Sequence, residues 1–135
     1  MKHLAIVSLF TLSLMGASPE VTQYMQELES IAKAEDKTFG GFDAVRGKEI
    51  FTSTHIGKNG KPMACTSCHS VNIANPGRNT LTGKVIDPLS PRVNPQRLTS
   101  AKEVKKWLKR NFMDVYAREG TAREKGDVLA YIIKN

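Results

Sequence analysis

The chain has 135 residues, a formal net charge of +7 and only two cysteines. This length allows one compact domain with a modest core and does not support several large domains. Beyond the first 18 residues, the sequence contains no segment apolar enough to span a bilayer, so a polytopic membrane protein is excluded.

Residues 1–18 have the pattern of a secretory signal. Lys2 and His3 form a short basic start, and Leu4 to Ala17 is a run of 14 apolar and small residues. Such a run is too short to span a bilayer comfortably, and small residues at its end suit a signal peptidase. We therefore expect export to the periplasm and cleavage near residue 18, with a membrane anchor as the alternative.

Charge is distributed unevenly along the rest of the chain. Residues 19–44 hold two lysines and six acids, whereas residues 45–135 hold 17 Lys or Arg and seven acids. This basic body suits an acidic partner or an anionic membrane surface, although simple solvation of a basic surface is the plainer alternative. Nucleic acid is disfavoured as a partner, because export removes it and no aromatics interleave with the basic run.

The first predicted helix begins at Ser18 and Pro19, which have the pattern of a cap and a first turn. Its apolar residues recur at spacings of three and four: Val21, Tyr24, Met25, Leu28, Ile31 and Ala32. Gly40 and Gly41 end this segment. We interpret residues 19–41 as an N-terminal helical extension, docked either on the domain or on a partner, and residues 42–135 as the main domain.

A second helix is predicted from Ala44 to Ser53, with Asp43 as its cap. Gly47 and Phe51 lie four residues apart on one face. A glycine at that place permits close approach of a crossing helix, and we expect Tyr131 of the last helix to pack there.

The stretch Cys65-Thr66-Ser67-Cys68-His69 has the C-x-x-C-H spacing of c-type haem attachment. Two thiols at this spacing form thioethers with the two vinyl groups of one haem, and the following imidazole is the usual proximal iron ligand. We therefore predict one covalent haem c held by Cys65, Cys68 and His69. A redox C-x-x-C or half of a zinc site are the alternatives, but no βαβ pattern is visible and only His55 remains as a further ligand.

Residues 70–99 form a long irregular stretch with four of the six prolines. A haem edge gives such a loop a surface to wrap, which accounts for its length. The arginines Arg78, Arg92 and Arg97 could pair with haem propionates or be solvated.

A third helix is predicted from about Ala101 to Ala117, after a cap at Thr99 or Ser100. Its apolar stripe consists of Val104, Trp107, Leu108, Phe112 and Val115, opposite a lysine-rich face. A fourth helix begins at the capping box Thr121–Glu124 and runs to about Lys134. The pattern as a whole predicts an all-α haem domain with its terminal helices in contact.

The sixth iron ligand is the open question. Met63 is tethered too close to Cys65 and Met25 lies in the extension, while Met113 is placed about 180° around the third helix from Val104, among the lysines. Asn111 instead occupies the apolar stripe. Either its amide oxygen coordinates the iron loosely and leaves on reduction, or it is a buried amide bonded to backbone or propionate. His55 is a remote further alternative.

Several motifs accompany the attachment signature: Pro76-Gly77-Arg78, Thr82 to Leu89, Asn94-Pro95-Gln96-Arg97, Trp107 to Asn111 and Glu124 to Leu129. Together they resemble the sphaeroides haem protein family of monohaem c-type cytochromes over residues 42–134. This resemblance implies a class I cytochrome c-like fold, with His69 proximal and Asn111 as a sixth ligand that leaves on reduction. It also implies an acidic dihaem cytochrome c and a membrane cytochrome b as partners, and a diatomic ligand such as O₂ or NO.

The chain departs from that family in two respects. Family members often carry a cysteine pair around the distal segment, and the matching places here are Phe112 and Gly120. The N-terminal helix also lacks a family counterpart that the sequence identifies. We expect an exported cytochrome that accepts an electron and binds a diatomic ligand, with no acid–base pair for other chemistry. A plain electron carrier ligated by His69 and Met113, and a gas binder without turnover, are the alternatives.

Overall fold

The computed structural model describes residues 16–135, so most of the predicted signal lies outside the described residues. Four helices form this part of the chain: α1 (Pro19–Glu35), α2 (Ala44–Thr52), α3 (Ala101–Tyr116) and α4 (Ala122–Lys134). Each begins at a side-chain cap, namely Ser18, Asp43, Ser100 and Thr121, as the sequence predicts. The all-α class is thereby confirmed. None of the helices within residues 16–135 is long and apolar enough to cross a membrane.

The crossing of α2 and α4 organises the fold. An added Cβ at Gly47 would lie 1.9 Å from the carbonyl oxygen of Asp127 and 2.9 Å from Cβ of Tyr131. The two backbones are therefore as close as a glycine allows, and Phe51 packs beside the crossing with its ring 5.5 Å from that of Tyr131. The predicted contact between Gly47 and Tyr131 is confirmed.

The same crossing contains an ion pair between a buried carboxylate and a partly exposed arginine. Asp127 is 1% exposed and accepts hydrogen bonds from Arg46 Nε at 2.9 Å and Nη2 at 3.0 Å. It also accepts one from the backbone N–H of Asp43 at 2.7 Å. The N-terminus of α2 is therefore fastened to α4 by one carboxylate, a role that its sequence position alone did not reveal.

Helix α1 docks on the rest of the molecule. Its buried face consists of Val21, Tyr24, Met25, Leu28 and Ala32, which belong to one hydrophobic cluster with residues of α2, α3 and α4. Glu20 accepts a hydrogen bond from the N–H of Ala101, and Glu27 pairs with Lys105 at 3.2 Å. Ile31, predicted on the buried face, is instead 48% exposed at its edge. The division of the chain at residue 41 stays a prediction.

The stretch 70–99 is irregular apart from one small hairpin. β3 (Gly77–Arg78) pairs antiparallel with β4 (Val85–Ile86), as β1 (His55–Ile56) does with β2 (Pro62–Met63) before the attachment signature. Ser90 anchors the middle of the stretch, because it is fully buried and its hydroxyl donates to the carbonyl of Asn135 at 2.7 Å.

Candidate haem-attachment site

The attachment signature forms one tight turn. Cys65–Ser67 is a 3₁₀ turn, and His69 N–H donates to the carbonyl of Cys65 at 2.9 Å. Ser67 Oγ accepts from the N–H of Ala64 at 2.9 Å and so closes the start of the turn. The two cysteines are not joined to each other by a disulfide. The two sulfurs and the imidazole therefore originate from a single ordered turn.

A close backbone contact holds this turn from the other side. Arg78 N–H donates to the carbonyl of Cys68 at 2.8 Å, and an added Cβ at Gly77 would lie 2.0 Å from that same oxygen. Only glycine permits this approach. The hairpin β3–β4 is thereby fixed against the attachment turn, which explains the place of Gly77 in the motif.

The environment of His69 suits an iron ligand. Its ring lies 6.0 Å from that of Phe51, which belongs to the α2 and α4 core. Burial, together with the positive charge of Arg97, lowers the pKa of His69 to about 4. The imidazole is therefore neutral near pH 7 and keeps a nitrogen lone pair for coordination. The sequence placed Phe51 in the core but gave no signal that it would contact His69.

The two cysteines lie in different surroundings. Burial raises the pKa of the Cys65 thiol to about 11. Cys68 borders an open groove of about 630 Å³ between the attachment turn and the β3–β4 hairpin, where its sulfur lies 3.7 Å from Thr80 Oγ1. One thiol therefore faces the interior and the other a surface groove.

The arginines of the irregular stretch are engaged with its backbone. Arg97 donates to the carbonyls of Pro88 at 3.0 Å and Asp87 at 2.8 Å, and Arg78 donates to the carbonyl of Gly83 at 2.6 Å. Each guanidinium has five donors, so these bonds order the loop and leave donors for an anion. Arg92 is exposed. Pairing of any of the three with haem propionates stays a prediction.

The apolar stripe of α3 divides into two edges. Leu108, Phe112 and Val115 are buried in the protein core. Trp107, predicted to be buried, is instead 46% exposed, and its indole N–H donates to Glu103 at 3.2 Å. Within residues 16–135, the neighbouring edge of the stripe is therefore only partly covered, with Trp107 exposed and Asn111 half-buried.

Asn111 lies on this second edge and is half-buried. Within residues 16–135, its amide takes part in no hydrogen bond, whereas other side chains of α3 do, such as Trp107 and Tyr116. The alternative in which Asn111 is bonded to backbone therefore finds no support in this part of the chain.

The other candidate ligands are differently placed. Met25 is buried in the core, and Met63 lies in β2 with its sulfur against Gly57. Met113 is 37% exposed, on the solvent-facing side of α3. The ring of His55 stacks on Tyr116 with centroids 4.0 Å apart. Asn111 and Met113 are thus the two candidates that are neither packed in the core nor stacked on a neighbour, and of these only Asn111 lies beside the apolar stripe of α3.

These residues fit a covalent haem c. The two thiols and the neutral imidazole project from one turn, and aromatic and apolar side chains lie next to that turn. Within the described residues, no group of three or more His, Cys, Asp or Glu side chains is positioned to hold a metal ion, so the ligands that a zinc site needs are not assembled there. Fold and site together define a monohaem c-type cytochrome.

Comparison with known proteins agrees with this class. Residues 37–132 match the family described as Domain of unknown function (DUF1924). The chain is 37% identical over 121 residues to cytochrome c-type protein SHP of Cereibacter sphaeroides, covering 90% of this chain and 93% of that protein. It is 30% identical over 125 residues to cytochrome c'' of Methylophilus methylotrophus, covering 93% and 87%.

Solved structures of both relatives have the same fold. The structure of oxidised SHP, an oxygen-binding cytochrome c, matches at a TM-score of 0.75 with 35% identity, over 88% of this chain and all of that one. Oxidised cytochrome c'' matches at 0.74 with 31% identity, over 84% and 92%. Because residues 42–135 are only about 70% of the chain, these matches extend N-terminal to residue 42. The expectation that the first helix lacks a family counterpart is therefore wrong.

The chain belongs to this family of monohaem c-type cytochromes. It is an all-α cytochrome with one covalently bound haem c, as the attachment signature and the resemblance predicted.

Proposed function

We propose that this protein is an exported cytochrome that accepts an electron from a partner cytochrome and binds a diatomic gas at an iron whose sixth ligand, Asn111, leaves on reduction. A haem held by Cys65, Cys68 and His69 would supply the change between ferric and ferrous iron and the affinity of ferrous iron for gases. His69 would be its permanent ligand. The oxygen-binding relative and the haem-ligand detachment studied in cytochrome c'' both support this proposal.

The chemistry of the amide explains why Asn111 leaves. An amide oxygen is a hard, neutral donor, so it binds ferric iron better than ferrous iron. A methionine sulfur is soft and would remain bound in both states, as in ordinary electron carriers. Asn111 thus protects the ferric centre and opens the site when an electron arrives.

The observation that supports this proposal best is the environment of Asn111. The amide lies half-buried beside the exposed Trp107 on α3, and it has no hydrogen-bond partner within residues 16–135. Its polar atoms are not among the sealed groups that lack a partner, so the amide oxygen can be reached by a ligand outside the polypeptide, which supports a role as iron ligand. Met113, two residues further on, is rotated by about 200° from it.

Replacement of Asn111 by alanine tests the ligand directly. The ferric spectrum of holo Asn111→Ala should change to that of a five-coordinate or water-ligated haem, while the ferrous spectrum stays unchanged. Ferric imidazole affinity should rise by about tenfold or more, since loss of a competing ligand worth about 1.4 kcal/mol gives that factor. Visible absorption and an imidazole titration measure both effects.

Met113→Leu is the matched control on the same helix. This variant should keep the ferric and ferrous spectra of the parent protein. The proposal fails if Asn111→Ala leaves the ferric spectrum unchanged. It also fails if Met113→Leu changes both spectra, which would identify a plain carrier ligated by His69 and Met113.

The proposed compartment and the proposed redox partners of the protein are inferred from the sequence. The signal-like residues 1–18 support periplasmic localisation, and the basic body supports an acidic dihaem cytochrome c as electron donor, itself reduced through a membrane cytochrome b. Steady-state assays with O₂ and NO under reducing conditions separate a reacting protein from a gas binder without turnover. In the first case the gas is consumed repeatedly, and in the second only one equivalent is bound.

A further inference from the structure

After the last turn of α3, the chain folds back against the part of the helix that directly follows Asn111. Helix α3 ends at Tyr116, where Ala117 adopts the left-handed conformation with φ of 54°. The turn that follows returns Gly120 to the side of Phe112. An added Cβ at Gly120 would lie 2.8 Å from Cδ2 and Cε2 of the Phe112 ring. The ring therefore rests on the glycine backbone, and a Cβ at this place would require the ring to shift.

Phe112 also connects this closure to the rest of the molecule. Its side chain is 5% exposed, and its ring lies 5.2 Å from that of Tyr116. The Tyr116 hydroxyl donates to the carbonyl of Ile50 in α2 at 2.8 Å. Arg118, in the returning turn, lies over the Tyr116 ring and pairs with Glu124 at 2.7 Å. The end of α3 is thus held between α2 and the start of α4.

Asn111 is joined to this arrangement through one peptide bond. Phe112 directs its ring into the core, while Asn111, about 100° around the helix, lies on the partly covered edge. A displacement of the Phe112 ring must be taken up by the backbone of α3, because the tightly packed interior leaves no free space. The backbone that moves is the one that carries the amide.

We propose that Phe112 and Gly120 are positioning residues whose packing contact sets how readily Asn111 leaves the iron. In this chain, a packing contact between Phe112 and Gly120 closes the segment, and neither place holds a cysteine. A contact of this kind can open and re-form without bond chemistry. This inference rests on the proposed function, since it requires Asn111 as the labile ligand.

Gly120→Ala is the variant that tests the contact. Its new methyl group would overlap the Phe112 ring, so the ring must shift and Asn111 should bind ferric iron more weakly. We expect the affinity of the ferric holoprotein for imidazole to rise by about tenfold and the fraction of high-spin ferric haem to increase. Gly40→Ala is the matched control, because an added Cβ there meets no atom within 4 Å. It should behave as the parent protein.

Two double variants separate positioning from a general structural effect. In Phe112→Leu/Gly120→Ala, the smaller side chain leaves room for the methyl group, so imidazole affinity should equal that of Phe112→Leu alone. In Asn111→Ala/Gly120→Ala, affinity should equal that of Asn111→Ala alone. If Gly120→Ala does not yield holoprotein, Phe112→Leu by itself should still raise imidazole affinity, because it loosens the same contact.

Specific results would overturn this inference. An unchanged imidazole affinity in Gly120→Ala, or in Phe112→Leu where that variant stands alone, would do so. So would a Gly120→Ala effect that persists without Asn111, or an equal effect of Gly40→Ala. Failure of the proposed function is recognised separately, by an unchanged ferric spectrum in Asn111→Ala or by changed ferric and ferrous spectra in Met113→Leu.

Discussion

Asp127 illustrates what a single side chain decides in this protein. Its side chain is 2% exposed, and its carboxylate accepts hydrogen bonds from both the Arg46 side chain and the backbone N–H of Asp43. Such a group stabilises the fold only while all its partners are present, because a buried donor left without its acceptor is costly. The sequence shows Asp127 as an acid early in the last helix, and nothing in its spacing reveals that it is buried.

Replacement of Asp127 by asparagine should therefore destabilise the protein markedly. The amide removes the charge that Arg46 requires and turns one acceptor into a donor. We expect the free energy of unfolding to fall by about 2 kcal/mol, because hydrogen bonds to a buried carboxylate are lost while the partly exposed Arg46 stays solvated. Denaturant unfolding of the holoprotein measures it.

The exposed pair of Glu29 and Lys33 provides the control. Its atoms lie 2.7 Å apart on the surface of α1. Glu29→Gln should cost at most about 0.5 kcal/mol. Equal losses in the two variants would contradict the role assigned to Asp127.

At the scale of elements, the crossing of α2 and α4 could be predicted from the sequence. The burial of individual side chains on the other helices was predicted less well. A glycine four residues before Phe51 on a capped helix indicates a close approach, and the fold confirms it at Gly47. The apolar period also placed Leu108, Phe112 and Val115 correctly. The same period placed Trp107 and Ile31 in the core, where the structure leaves them about half exposed.

Gly47→Ala should separate the two helices at their crossing. The added methyl group would lie 1.9 Å from a backbone oxygen that cannot rotate away. The overpacking cost should exceed the gain in helix propensity, so we expect a net loss of about 2 kcal/mol or more in the free energy of unfolding. Unfolding of Gly40→Ala under the same conditions should show a change below about 0.5 kcal/mol. A Gly47→Ala variant as stable as the parent would refute the close crossing.

At the scale of the whole molecule, charge is the property that bears on function. The formal net charge is +7, and it is unevenly placed, with a net charge of −4 in residues 19–44 and of +10 in residues 45–135. Several exposed acids are paired with cations across elements, such as Glu27 with Lys105 and Asp36 with Arg123. The positive field that remains should steer an acidic partner.

Electron transfer from an acidic redox protein should therefore slow as salt is added. Between about 0.01 M and 0.15 M ionic strength the Debye length falls from about 30 Å to about 8 Å, and we expect the second-order rate constant to fall by about tenfold. Stopped-flow reduction of the ferric protein by a small acidic flavodoxin measures it. Reduction by a neutral hydroquinone should change little. A rate with the flavodoxin that does not depend on salt would contradict the assigned steering.

The sequence by itself determined the covalent cofactor and the helices, and it predicts Cys65, Cys68 and His69 as the residues that hold the haem. The reason is that each depends on local chemistry, namely the spacing of two thiols and an imidazole and the caps at which the helices begin. Only the tertiary structure decided which residues meet from distant segments. It brought Phe51 to His69, Asp127 to Arg46, Gly120 to Phe112 and α1 into the common core, because such contacts depend on how faces pack and leave no trace in local spacing.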